Sequence, residues 1–235
     1  MSLVVRGLTK RFDDRLAVDG LDFEVARGEI VAVVGPNGAG KSTTFLCLAG
    51  LLRPDAGTIA FDGRVLGAER GRTIALIPET PDVYPLLTVY EHLAFVAALT
   101  KQARGWEARA DALLTRLSMS AERDTLGHAL SKGMRQKTLL AATVLGGAPV
   151  LLFDEPMIGL DPLGQRELRA ILADLRAEGH ALLVSTHLLE SAAAMCDRML
   201  VVDRGRLVAS GTIEELRAMR GAASIEDVFL DVTGT

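Results

Sequence analysis

Ile30-Val31-Ala32-Val33-Val34-Gly35-Pro36-Asn37-Gly38-Ala39-Gly40-Lys41-Ser42-Thr43 runs from a short β-branched apolar segment, through a glycine-rich loop, into a helical pattern. The apolar run predicts a strand buried on both faces. Gly35 to Ser42 fits G-x-x-x-x-G-K-[ST] between that strand and a helix over 43–52, which Arg53-Pro54 is expected to stop. Glycines let a loop wrap closely enough for its backbone N–H groups to point at phosphate oxygens, and the helix adds its positive end. Lys41 would neutralise β- and γ-phosphate charge, and the Ser42 hydroxyl can ligate Mg²⁺. The plain alternative is a glycine turn carrying an exposed lysine.

A second apolar strand, Val150-Leu151-Leu152-Phe153, ends in Asp154-Glu155. Asp154 can face a Mg²⁺ ion opposite Ser42. Neighbours on an extended chain project to opposite sides, so Glu155 is expected to point away from Asp154 and to serve as base for an attacking water. The plain alternative is an acidic pair that ends a strand and caps the next segment.

Working outward, strands are expected at 3–9, 21–25, 74–77, 181–185 and 199–203, with a hairpin through Asp62-Gly63. Helices are expected at 132–145, 164–178, 188–196, 212–219 and near 224–230. From Thr88 to Leu130 the pattern is helical without a strand signal, and Thr88 with Glu91 three residues on forms a capping box. Strands alternating with helices imply an α/β fold with a mostly parallel sheet. The chain therefore divides into a core over 1–87 and 131–235 and an inserted helical subdomain over about 88–130, within one domain over 1–235.

Among 235 residues, 49% are apolar and 24% charged, which suits a globular domain, and aromatics at 4% leave aliphatic packing to fill it. A net charge of −4 offers no bulk attraction for nucleic acid or for an anionic membrane surface. Cys47 and Cys196 lie in no ligand spacing, which suits a reducing compartment. The amino terminus shows no secretory signal pattern. The uncharged run between Lys137 and Asp154 holds Gly146, Gly147 and Pro149 and breaks into a helix and a strand, so any membrane span is expected from a partner chain.

The phosphate loop, Asp154-Glu155-Pro156, Gly159-Leu160-Asp161-Pro162, Ser185-Thr186-His187 and Leu130-Ser131-Lys132-Gly133-Met134-Arg135-Gln136 together resemble an ATP-binding-cassette (ABC) transporter ATPase subunit. The motifs are arranged in that family's order over nearly the whole chain. The resemblance implies a P-loop NTPase core with an N-terminal antiparallel β portion. It also implies ATP and Mg²⁺ as ligands, an ATP-dependent homodimer or pseudo-dimer, an integral-membrane permease as partner and a place at the cytoplasmic face of the membrane.

By the same resemblance, Gly35, Pro36, Asn37, Gly38, Ala39, Gly40, Lys41, Ser42 and Thr43 hold the nucleotide phosphates, and Phe12 stacks on adenine unless it is a core aromatic. His187 contacts the γ-phosphate. Asp161 joins two ATP sites across a dimer, or simply starts the next helix. The signature departs from the usual LSGGQ: Ser131 and Gly133 remain to meet a partner's γ-phosphate, while Lys132 and Met134 replace glycine and glutamine. Whether Lys132 touches phosphate is left open by the sequence. Glu79 stands where a glutamine is usual, and is either an oxygen ligand toward Mg²⁺ or a solvated loop residue. The Pro78-Glu79-Thr80-Pro81 loop, the signature and the closing Ser224-Ile225-Glu226-Asp227-Val228-Phe229-Leu230 are most similar to exporter-type systems, including the Ecs-like group. An importer motor, and a soluble nucleotide-gated clamp on DNA or the ribosome, are the rival classes; clamps carry two cassettes or a long coiled-coil insertion, and this chain shows neither.

Overall fold

A computed structural model describes residues 1–220, with the side chains of residues 68, 69, 219 and 220 left aside. The helix expected near 224–230 and the closing motif lie outside the described residues.

Among the described residues, 1–76, 149–156 and 169–220 form one compact unit, and 77–148 with 157–168 form another. In the first unit, β1 (Ser2–Phe12), β2 (Arg15–Ala26), β4 (Ala56–Phe61) and β5 (Arg64–Val65) make an antiparallel sheet in the order β2-β1-β4-β5. The expected hairpin is present: Asp62 and Gly63 both take positive φ, 49° and 79°, as a tight two-residue turn requires.

The second sheet has the order β10-β9-β3-β8-β7-β6. Its strands are β3 (Ile30–Val34), β6 (Ile74–Ile77), β7 (Val150–Asp154), β8 (Ala181–Thr186), β9 (Arg198–Asp203) and β10 (Arg206–Gly211). β3 pairs in parallel with both β8 and β9, and β7 pairs in parallel with β8. The five residues of β3 are all buried, as its uninterrupted apolar sequence requires. Alternate side chains divide between two cores. Val31, Val33, Leu152, Leu183 and Leu200 join Leu3, Val5, Leu8 and Phe45 on one face; Ala32, Val34, Met199 and Val201 join Ala192 and Leu216 on the other.

β10 lacks a counterpart among the strands expected from sequence. It returns antiparallel on β9 through Arg204-Gly205, both at positive φ, and every second residue of it faces outward. Helix α1 (Lys41–Ala49) ends earlier than Arg53-Pro54 would enforce. Gly50 at φ 83° stops it, its N–H returning to the Cys47 and Leu46 carbonyls.

In the second unit, α2 (Val89–Leu99) and α3 (Trp106–Arg116) pack with α4 (Lys132–Gly146), burying Val89, Leu93, Ala97, Ala110, Leu114, Leu140, Ala141 and Leu145. The capping box forms as its spacing predicts: the Glu91 N–H donates to Thr88 Oγ1 at 3.1 Å, and the Thr88 N–H donates to Glu91 Oε2 at 2.7 Å. Between 117 and 130 the chain is less helical than its pattern suggests, with two short 3₁₀ turns and a single β-bridge from Thr88 to Leu126. The remaining helices are α5 (Pro162–Ala177), α6 (Leu189–Ala193) and α7 (Ile213–Arg220).

Candidate nucleotide site

The loop after β3 requires glycine at two points for different reasons. A methyl group on Gly35 would lie 2.2 Å from the Val202 carbonyl oxygen, so the loop leaves the sheet pressed against β9. Gly40 takes φ 104°, and a methyl group there would lie 2.3 Å from the Ala17 carbonyl oxygen. Gly40 is also the N-cap of α1 and supplies no side-chain acceptor, so no side chain caps the amides of the first turn, where Ser42 and Thr43 sit. An anion is the natural partner for such amides. Asn37 and Gly38 are exposed at the loop's crest, while Ala39 is buried beneath it; the Ala39 N–H closes a turn onto the Pro36 carbonyl at 3.1 Å.

Lys41 is buried, and its Nζ donates to the Gly35 carbonyl at 2.8 Å and the Pro36 carbonyl at 3.3 Å. The same ammonium stands 3.7 Å from Glu155 Oε1, which His187 Nδ1 meets at 3.1 Å. One carboxylate oxygen thus gathers the phosphate-loop lysine and the histidine after β8. The other, Glu155 Oε2, is buried without a hydrogen-bond partner. A buried carboxylate oxygen left open is costly unless something fills the place, and a water is the smallest group that can.

The sequence expectation for the Asp154-Glu155 pair needs correction on its cause. The two side chains do not diverge by strand alternation. β7 ends at Asp154, and Glu155 takes φ 47°, a left-handed conformation rare outside glycine, so a backbone kink turns its side chain. Asp154 itself is buried, and its Oδ1 accepts from Ser185 Oγ at 2.5 Å.

Toward a divalent cation the Asp154 carboxylate and the exposed Ser42 hydroxyl are oxygen donors. Among the described residues no three His, Cys, Asp or Glu side chains gather as a metal cage. That donor chemistry fits Mg²⁺, which keeps water and substrate phosphate oxygens in its shell and takes one or two ligands from protein.

Phe12, at the end of β1, is 46% exposed and so is no core aromatic; Lys10 Nζ lies 5.5 Å from its ring centroid. Arg15 pairs with it across the hairpin, and Arg15 Nη2 would stand 3.4 Å from a methyl group on Gly38. Arg15 and Ser185 are two residues near the loop and the acidic pair to which the motifs assign no role. The cross-hairpin pairing of Arg15 and the first hydroxyl after the apolar run Ala181-Leu182-Leu183-Val184 were the available signals.

The second unit holds the remaining candidates. Ser131 caps α4, its Oγ accepting the Met134 N–H at 3.3 Å. Ser131, Lys132, Gly133, Gly159 and Asp161 line an open cavity of about 640 Å³. Lys132 lies back over Gly159, where a methyl group would meet its Nζ at 3.1 Å. Asp161 Oδ1 accepts the Gly164 N–H at 2.7 Å and so starts α5, with Pro162 in the first helical position. Glu79 is exposed on its loop.

Comparison with known proteins places this arrangement. The family described as "ABC transporter" matches residues 18–158. The chain is 34% identical to the lipopolysaccharide export system ATP-binding protein LptB of Haemophilus influenzae over 91% of this chain and 92% of that one. It is 40% identical to the daunorubicin resistance ATP-binding protein DrrA3 of Streptomyces coeruleorubidus over 97% of this chain and 73% of that one. A solved structure of the ATP-binding subunit of an ABC transporter superposes with a TM-score of 0.93 at 34% identity, covering 99% of this chain and 100% of the other.

Proposed function

This chain belongs to the ABC transporter family as an ATP-binding, ATP-hydrolysing subunit, and on that premise we propose that it is the motor of an exporter whose membrane path lies in a separate permease. Its site works as a single ATPase domain over residues 1–235, set at the membrane's cytoplasmic face. The observation that carries the ATP-hydrolysing part of this reading is the convergence of Lys41 and His187 on Glu155 Oε1 beside an open, buried Oε2.

Binding, metal ligation and proton transfer fall to different residues. The backbone N–H groups of the loop from Gly35 to Thr43, Pro36 having none, hold the phosphates of ATP together with the Lys41 ammonium, which trades the Gly35 and Pro36 carbonyls for phosphate oxygens. Phe12 offers its exposed face to adenine, and the Arg15 guanidinium adds a second positive charge near the loop. Ser42 and Asp154 hold Mg²⁺, which supplies charge neutralisation on the phosphates when bound, and Glu79 is the candidate for a further oxygen ligand. Glu155 takes a proton from the attacking water as its oxygen bonds to the γ-phosphorus. The bond from that phosphorus to the bridging oxygen breaks, leaving ADP and inorganic phosphate. His187 steadies the γ-phosphate and the carboxylate during transfer. Ser131 and the Gly133 amide of a second ATPase chain complete the site from across an ATP-bound dimer, with Asp161 at the joint.

No helix among the described residues is long and apolar enough to cross a membrane. An exposed apolar surface supports a membrane partner. The second unit exposes Tyr84, Leu86, Phe95 and Leu99, with Leu86 79% accessible and the Tyr84 and Phe95 rings 5.4 Å apart edge to face. Export, rather than import, is favoured by the relative named for lipopolysaccharide export. Affinity purification of the tagged chain from detergent-solubilised membranes tests the assignment. An integral-membrane protein should copurify with the wild type and be lost with Leu86→Asp. Recovery of soluble chains alone, with or without the substitution, would contradict it.

A further inference from the structure

Ser185 lies in β8 opposite Asp154 in parallel register and has no accessible surface. Its single hydroxyl makes two bonds of opposite sense. The proton goes to Asp154 Oδ1 at 2.5 Å, and the oxygen accepts the Glu155 N–H at 2.9 Å. A hydroxyl has one proton to give and lone pairs to receive with, so both bonds are made at once without conflict. The bond to a carboxylate is also of the stronger, charge-assisted kind.

The second bond matters because of where Glu155 sits on the conformational map. At φ 47° its backbone is in the left-handed region, which residues other than glycine rarely adopt. Such a conformation persists only where surrounding structure holds it. A buried N–H also needs an acceptor, and here it is Ser185 Oγ. The next hydroxyl on β8 is used elsewhere, Thr186 Oγ1 accepting the Leu188 N–H at 3.0 Å. Apolar residues fill β8 from Ala181 to Val184, so packing alone would be met by alanine at position 185.

We propose that Ser185 is a positioning residue for ATP hydrolysis, one hydroxyl that sets both the metal-side carboxylate of Asp154 and the kink that aims the Glu155 carboxylate. The inference rests on the reading of Glu155 as base and Asp154 as a metal-side ligand. Ser185 touches no substrate; it acts through its two neighbours. The same hydroxyl ties them together, so a shift in Asp154 on loading the site is felt at the Glu155 backbone.

The test compares wild type, Ser185→Ala and Ser185→Cys, the last keeping volume with a weak donor and acceptor. Three readouts are taken on the full chain: deuterium uptake of the nucleotide-free 153–157 segment, Mg²⁺ needed for half-maximal binding of a non-hydrolysable fluorescent ATP analogue, and kcat. Ser185→Ala should raise uptake at the Glu155 amide, raise the Mg²⁺ requirement and lower kcat by roughly 10- to 100-fold, the usual loss for a residue supporting a metal ligand. Affinity for the analogue at saturating Mg²⁺ should stay within about twofold of wild type, since the phosphate loop is untouched. In a Glu155→Gln background at saturating Mg²⁺, which offsets the Asp154 side, Ser185→Ala should add little further loss of kcat, because a residue that acts through another is not additive with it. Unchanged uptake and kcat in Ser185→Ala, or full additivity with Glu155→Gln, overturns the proposal. If Ser185→Ala does not fold, Ser185→Cys decides: lowered kcat with intact analogue binding supports the proposal, and wild-type kcat overturns it. Hydrolysis at the wild-type rate by Glu155→Gln would remove the base assignment, and amide uptake and Mg²⁺ requirement would still judge Ser185.

Discussion

Lys41, Asp154, Glu155 and Ser185 in the first unit are buried and bonded to one another, whereas Ser131, Lys132, Gly133 and Gly159 in the second line an open cavity of about 640 Å³. In the first region each polar group is placed by backbone that has little freedom: Gly35 lies against β9, Glu155 is kinked, and Ser185 is locked in a sheet. In the second, Ser131 merely caps a helix and Lys132 drapes over a glycine. Buried charges need their partners within the same chain, because leaving one unpaired costs more than the pair gains. Groups that are to meet a partner's phosphate can stay in water until it arrives.

The largest effects should come from the assembled region. Lys41→Ala removes the buried cation, and affinity for a fluorescent ATP analogue in Mg²⁺ should fall about 10- to 100-fold, the range for losing charge-assisted bonds. Arg15→Gln, which removes an exposed charge beside the same loop, should weaken it only a few-fold. Wild-type affinity in Lys41→Ala would undo the contrast at its root.

The same alanine, placed in the two regions, sharpens it. Gly35→Ala drives a methyl group into the Val202 carbonyl, backbone against backbone, and should cost about 3 kcal/mol or more, with loss of ATP binding. Gly159→Ala meets only the end of the Lys132 side chain, which can swing away. Its cost is the left-handed backbone at φ 81°, about 1–2 kcal/mol, and analogue binding by the single chain should be unaltered. Urea melts of both variants check this; equal destabilisation would mean that the second region is as tightly built as the first.

A smaller effect belongs to the helix start at Thr88. The Thr88 N–H, and then its hydroxyl, hold the Glu91 carboxyl below its ordinary value of 4.5. A depressed folded value makes the contribution complete above pH 4.5 and lost as pH falls below it, through the lowered value. Thr88→Ala should cost about 1 kcal/mol at pH 7 and less at pH 3. An equal loss at both pH values would place the effect in the Glu91 N–H bond to Thr88 Oγ1, which does not titrate, and not in the Glu91 carboxylate.

Legibility in the sequence divides in the same way, between local and distant causes. The phosphate loop, the strand ending at Asp154, the capping box and the Asp62-Gly63 turn are each fixed by neighbours within a few residues, so spacing reveals them. β10 escaped because an edge strand exposed on one side lacks the apolar run that marks β3, and its turn at Arg204-Gly205 is a weak local signal. The kink at Glu155 escaped because the group that accepts its N–H, the Ser185 hydroxyl, lies 30 residues further along the chain. Arg15 reaches Gly38 only once β1 and β2 are paired.

The central claim, that a preassembled base in one chain acts with an open signature on another, is tested most directly by light scattering on Glu155→Gln in MgATP, with hydrolysis monitored in the same sample. Replacing the carboxylate by an amide should slow hydrolysis roughly 10²–10⁴-fold and leave ATP binding intact. Uncleaved ATP should then hold two chains together by mass action, giving a dimer in MgATP and a monomer in MgADP. Adding Ser131→Arg should return the MgATP sample to monomer. A dimer that persists with Ser131→Arg, or wild-type hydrolysis by Glu155→Gln, would contradict the account.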